Sequence, residues 1–484
     1  MKHSIFAIIA AVSADLALAA PVVQSCQMTQ GPGNRIVTIN YVLSEYPAVV
    51  TLDVQTNCTG NAVDKWVSIG GEHIWNAQGA VWRKVTSADL ADGKFTITWD
   101  PTQSWTDETG KGFVVDGVTR KARAVVTAWP LDNTPDYMVV DVSSGAKPNT
   151  QRYYQAKEFL PGSVPGQTGA VTNNTAYKTS MLVMRKIMAK DVTWTMGSNQ
   201  SEVGRDTLAI REGTHQVTLT NNYYIAIFET TQAQFANIAT NSVAITDNTN
   251  KFVGDMRPMC PVSRSEIRNA HRTAKPTLYL DSTENWPSAP TSDSFLGLLN
   301  LKSGLDFDLP SDAEWEFACR AGHGSGYWGD GSAVTDATTD ANLSRLGRYK
   351  RNNPGGGTAT YSFSPEQGGT AIVGSYLPNS WGIYDMHGNV SEWVLDHSLN
   401  NAAEWDIATA VDTDGVPYGG RVNINPANPT LTLSGTTSTR TIIRGGAWSS
   451  EAFVCRSSFR NGQARSVCQY DTFGFRVVCR AGLK

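Results

Sequence analysis

The chain has 484 residues, including 43 glycines, 14 tryptophans and seven cysteines, and exceeds the length of one average domain. Forty basic against 44 acidic side chains leave a net charge of -4. With no basic stripe or long charge run, nucleic acid and anionic membranes are excluded as main partners, and the glycine and tryptophan content excludes a helical bundle.

Residues 1–20 begin Met-Lys-His, continue through the apolar run Ile5 to Val12 and end at Ala17-Leu18-Ala19-Ala20. That is the pattern of a secretory signal with an A-x-A cleavage site. The run is too short to cross a bilayer as a helix, and no later stretch is apolar enough to provide a membrane span. The expectation is a soluble exported protein, secreted or held in the periplasm or at the cell surface. Seven cysteines suit an oxidising compartment, and their spacing offers neither C-x-x-C nor a zinc pattern. Cys26 and Cys58 stand alone in the first domain and are expected to pair.

Residues 21–142 alternate apolar and polar positions in short runs such as IVTINYVL, AVVTLDVQT, FTITWD, ARAVVTAW and YMVVDV. Runs of this kind between turn residues predict an antiparallel β-sandwich, with Trp66, Trp75, Trp82 and Trp99 supplying core bulk. Residues 143–176 are rich in Gly, Pro, Asn, Ser and Thr and read as a linker. A second domain then spans 177–484, so the whole reads as an α+β protein. Within it, Thr231-Gln-Ala-Gln-Phe235 starts a helix. Ser311-Asp-Ala-Glu314 is a capping box that predicts a helix over 312–320, with Glu314 as the cap and Glu316 solvated or paired. Gly324 to Gly329 matches GxGxxG but follows a helix, the wrong context for a nucleotide loop.

Gly382 to Trp393 reads GIYDMHGNVSEW. Its Gly388 lies between Asp385 and Glu392, so a sharp turn can bring side-chain and carbonyl oxygens together on a hard cation. A hairpin turn whose acids cap backbone groups accounts for the same spacing.

This segment resembles the hallmark of the formylglycine-generating enzyme / sulfatase-modifying-factor family. Further landmarks stand in the family's order: MGS at 196–198, HQVTLTNNYYIAIFETTQAQF at 215–235, LPSDAEWEFACRAG at 309–322, IIRGGAW at 442–448, then CRSSFR and GFRVVCR. The resemblance implies a loop-rich, C-type-lectin-like fold from about residue 177 onward. It also implies calcium on Asp385, Gly388, Val390 and Glu392, a second calcium at Asn342 and Leu343, and a disulfide between Cys319 and Cys479.

Active members carry two cysteines after their GGS motif, because thiolates capture Cu(I). Here Ser449 and Ser450 occupy the first cysteine's region, and Cys455 either approaches the second position or belongs to a CRS framework. Ala447 replaces a serine and Ser391 a tryptophan. These departures predict a non-catalytic ligand-binding or surface-interaction module that takes a protein or glycan. Its expected contact residues are Trp448, Ser449, Ser450, Glu451, Phe453, Ser458, Arg465 and Tyr470, small polar and aromatic groups suited to recognition. The alternative is a copper- or iron-dependent oxidoreductase of a protein cysteine or small thiol, using Cys455 and Cys468. His387 sits beside the presumed calcium loop and His397 follows Asp396; solvated or capping roles compete there with a metal role.

Overall fold

A computed structural model describes residues 20–31, 35–56, 66–104, 122–146, 150–162, 171–205, 212–240, 252–268, 289–354, 368–398, 422–424, 440–464 and 471–480. Residues 1–19, where a signal segment is expected, and Cys58, Cys468, Arg465 and Tyr470 lie outside them. The protein is mixed α+β, mostly sheet with few and short helices.

Two antiparallel sheets form the N-terminal part. One orders Val23–Gln30, Val37–Leu43, Phe95–Trp99 and Gln78–Gly79. The other is centred on Ala48–Thr56, flanked by Val67–Ser68, Arg83–Val85 and Ala122–Trp129. Val37, Ile39 and Tyr41 alternate with less buried residues, and together with Val50, Leu52, Phe95, Ile97 and Trp99 they enter one apolar core shared by both sheets. Trp82 and Trp99 sit in that core as expected; Trp66 and Trp75 are only half-buried.

The expected boundary at residue 142 shifts. Tyr137–Asp141, read from the sequence as the last strand of the first domain, pairs with Met181–Ile187 in a six-stranded sheet. Arg152–Tyr154 lies at the edge of that sheet, so the described part of 143–176 is a packed strap and not a free linker. Alternation explains the arrangement. Tyr137 and Val139 point into the N-terminal core, whereas Met138 and Val140 point into a second core with Leu182, Met184, Phe307 and Phe475. This sheet is a wall buried on both faces.

Helices begin where the sequence marks them. Ser311 and Glu314 close a capping box ahead of Asp312–Arg320, and Thr231 and Gln234 do the same ahead of Gln232–Ile238. All nine residues of Asp312–Arg320 are buried, which the polar sequence DAEWEFACR does not suggest. The GIYDMHGNVSEW loop feeds the strand Ser391–Ser398, which pairs with Arg440–Arg444 on one side and Phe473–Gly474 on the other.

Candidate functional site

Four residues of the loop adopt left-handed backbone: Gly382 at φ 80°, Asp385 at 56°, Gly388 at 100° and Asn389 at 63°. Asparagine and aspartate tolerate this region, but a β-carbon at Gly388 would meet the Arg348 carbonyl oxygen. Gly388→Ala is expected to lose ~2 kcal/mol or more in urea unfolding, because backbone strain and overpacking each cost ~1–3 kcal/mol. An unchanged midpoint would show that Arg348 gives way.

Around the loop lies a buried acid cluster. Glu229, Asp385 and Glu392 are all at most 2 % exposed. Glu392 accepts from Trp315 Nε1 at 2.7 Å and from Arg476 through Nε at 2.7 Å and Nη2 at 2.6 Å. Arg476 also donates to the carbonyls of Ala226 and Tyr384, both at 3.0 Å, which fixes its fork. Glu229 accepts from Asn389 Nδ2 at 2.5 Å and the Val390 amide at 3.1 Å. Burial, and then the charges of Asp385 and Glu392, push Glu229 well above the usual carboxylate range. Burial pushes Asp385 up to about 6 against the pull of the Gly374 amide.

These contacts sort the expected calcium ligands. Asp385 takes the Gly374 amide on Oδ2 at 2.6 Å, while its Oδ1 is buried and accepts no hydrogen bond. That orphaned oxygen fits a cation. Glu392 does not, since its carboxylate is occupied by Arg476 and Trp315. Among the described residues, no group of three or more His, Cys, Asp or Glu side chains is arranged to hold a metal. At the second expected site, Asn342 Nδ2 donates to the Ala333 carbonyl at 2.9 Å, and the Leu343 carbonyl accepts from Gly347 at 3.2 Å. Asp340 anchors that turn by accepting the Asn342 and Leu343 amides at 2.8 and 3.1 Å.

Cys319 is a free buried thiol, so the expected bond to Cys479 is not formed. Its Sγ instead lies 3.7 Å from the Met386 carbonyl and 3.7 Å from His387 Nε2. Cys26 is likewise a free thiol, with its expected partner Cys58 outside the described residues. His387 is held in one tautomer. Nε2 accepts the Gly329 amide at 3.0 Å, which leaves Nδ1 to donate to the Cys455 carbonyl at 2.8 Å. Burial lowers its pKa to about 4, so the ring is neutral. Cys455 is fully buried, and burial pushes its thiol far up. Burial of this kind makes a thiol a weaker nucleophile than an exposed one. Ser450 Oγ accepts the Ala447 amide at 2.9 Å within the turn.

The expected recognition surface is only partly a surface. Ser449 is exposed, and Trp448, Ser450, Glu451 and Phe453 are half-buried. Glu451 pairs with Lys350 at 2.7 Å and Arg351 at 3.1 Å. Ser458 is wholly buried and bonds Arg456 and Glu202 at 2.9 and 3.0 Å, so it cannot meet a ligand. Sequence reasoning missed Glu229, although an acid ending the apolar run YYIAIF is a signal of a buried charge.

Fold and site together define a loop-rich α+β protein built on a buried, charge-paired scaffold, with no thiol pair among the described residues of its hallmark segments. The chain belongs to the sulfatase-modifying factor enzyme 1-like family, whose domain matches residues 181–481. It is 27% identical over 227 residues to the chaperone protein LppX of Paenibacillus barcinonensis, covering 43% of this chain and 78% of that one. It is 30% identical over 155 residues to the formylglycine-generating enzyme of Thermomonospora curvata, covering 32% of this chain and 40% of that enzyme. The corresponding enzyme of Streptomyces coelicolor is 32% identical over 157 residues, again 32% of this chain and 38% of the enzyme. The chain thus matches under half the length of these two enzymes. Among solved structures, PvdO from Pseudomonas aeruginosa aligns with a TM-score of 0.36 and 23% identity, covering 62% of this chain and 95% of that one.

Proposed function

We propose that this chain is an exported, non-catalytic member of its family that works by binding a protein or glycan through the exposed side of Trp448–Phe453. One observation carries the reading: where the oxidase chemistry needs two thiolates, Ser450 is a hydroxyl tied into its own turn and Cys455 is a fully buried thiol whose pKa burial raises. The similarity to a protein named as a chaperone agrees with a role exercised by binding. Calcium is part of the proposal. Asp385 would hold it through Oδ1 with the carbonyls of Gly388 and Val390, and it would neutralise a cluster richer in acids than in bases. Glu392 stays with Arg476.

The competing reading, oxidation of a cysteine as in the formylglycine-generating relatives, is tested by supplying a cysteine-containing peptide with Cu(I) and oxygen. The proposal expects no aldehyde product above the protein-free control. Turnover that disappears in Cys455→Ser would overturn it.

A further inference from the structure

The geometry points to a saccharide-binding cleft formed between the strand Val192–Met196 and the C-terminal end of the helix Asp312–Arg320. The cleft encloses about 640 Å³, and its lining includes Trp194, Phe317, Asn199, Gln200, Arg320 and His323. It shares no lining residue with Trp448–Phe453, so it stands independently of the function proposed above.

One wall is aromatic. Trp194 is half-buried and rests on Phe317 at a centroid distance of 5.3 Å; Phe317 in turn meets Trp381 at 5.2 Å. Among the described residues the buried indole N–H of Trp194 has no acceptor, and the ring is held by packing. A large apolar ring left beside a cleft gains when a flat apolar face covers it. The facing rim is polar and uncharged: Asn199 and Gln200 are exposed amides, each able to donate and accept. A pyranose has these two properties together, an apolar C–H face and a rim of hydroxyls that donate and accept.

The cleft is also held rigid. Arg320 Nη2 donates to the Gly197 carbonyl at 2.5 Å, joining helix to strand end, and pairs with Glu316 at 2.7 Å, so its charge is already met. Ser325 on the following loop donates to Glu202, whose other oxygen is fixed by Arg456 at 2.6 Å. A pre-formed wall loses little freedom on binding. The compensated arginine favours a neutral sugar over a free carboxylate or phosphate.

The test is titration calorimetry of the full mature chain with N-acetylglucosamine, chitobiose, maltose and cellobiose, with tryptophan fluorescence followed in parallel. The cleft predicts saturable binding of at least one of these sugars. Trp194→Ala should weaken it by about tenfold or more, Trp194→Phe should keep most of it, and Leu301→Ala, at an exposed position outside the cleft lining, should leave it unchanged. Circular dichroism establishes that each variant is folded. Absence of saturable binding to all these sugars overturns the inference. So does undiminished binding by a folded Trp194→Ala, or a peptide that binds and depends on Trp194 where the sugars do not.

Discussion

Replacing Arg476 by methionine is expected to cost ~3–5 kcal/mol, the usual loss when one partner of a buried ion pair is removed. That is a large part of the ~5–15 kcal/mol that holds a typical domain. The reason lies in what remains. Among the described residues, Glu392 would keep the Trp315 indole, and Glu229 and Asp385 would lose the guanidinium that offsets their mutual repulsion, leaving Lys178 near Asp385. Methionine fills much of the arginine's volume, so a cavity contributes little of the effect. The double variant Arg476→Met/Glu392→Gln removes the uncompensated charge and should recover part of the loss. Urea unfolding of the single and double variants reads both outcomes. A change below ~1 kcal/mol in Arg476→Met would show that the cluster is already discharged by protons and does not need the arginine.

Arg444→Ala is the second large effect, again ~3–5 kcal/mol by the same rule. Arg444 is buried and donates to Asp312, to Glu316 at 2.9 Å and to the Ser457 carbonyl at 2.8 Å, so it ties the capping-box helix to the GGAW turn. Its plane also lies over the Trp315 ring at 5.7 Å. This network sets an acid limb. Burial alone would raise Asp312 and Glu316. The facing arginines, Arg444 and Arg460 for Asp312 and Arg320 and Arg444 for Glu316, outweigh burial and hold both below the usual carboxylate range. A carboxylate whose folded pKa is depressed contributes stability that is complete above its unfolded value and is lost as pH falls through the folded one. Stability from this network should therefore be level above about pH 5 and fall steeply below about pH 4. In Arg444→Ala the fall should be shallower, since less depression remains to be lost. An acid limb of unchanged slope would place the titrating groups elsewhere.

How much of this was legible in the sequence depends on the distance between partners. The helices announced themselves through caps only three residues apart, and Ser311 with Glu314 marked the start that the structure shows. The N-terminal strands were legible from alternation, because one face of each meets a core. Tyr137–Asp141 was assigned to the wrong sheet because it is buried on both faces, and its run YMVVD carries no sign of which neighbour it takes. The charged residues were least legible. Glu316 is satisfied by Arg444, 128 positions away, and Arg456 by Glu202, 254 positions away. No local period links such pairs, so Ser458 beside Arg456 read as surface and Glu392 read as a metal ligand. The hallmark loop is legible from its own residues, but its chemistry depends on Arg476, which lies 84 residues beyond Glu392.

Metal content measured together with thiol titration on the purified mature protein tests most directly whether the scaffold keeps its family's shape without a thiolate metal site. The expected result is about one calcium per chain, lost in Asp385→Ala, with no copper or iron bound and Cys319 and Cys455 reacting only after unfolding. Stoichiometric Cu(I) held by a pair of thiols that titrate in the folded protein would contradict it.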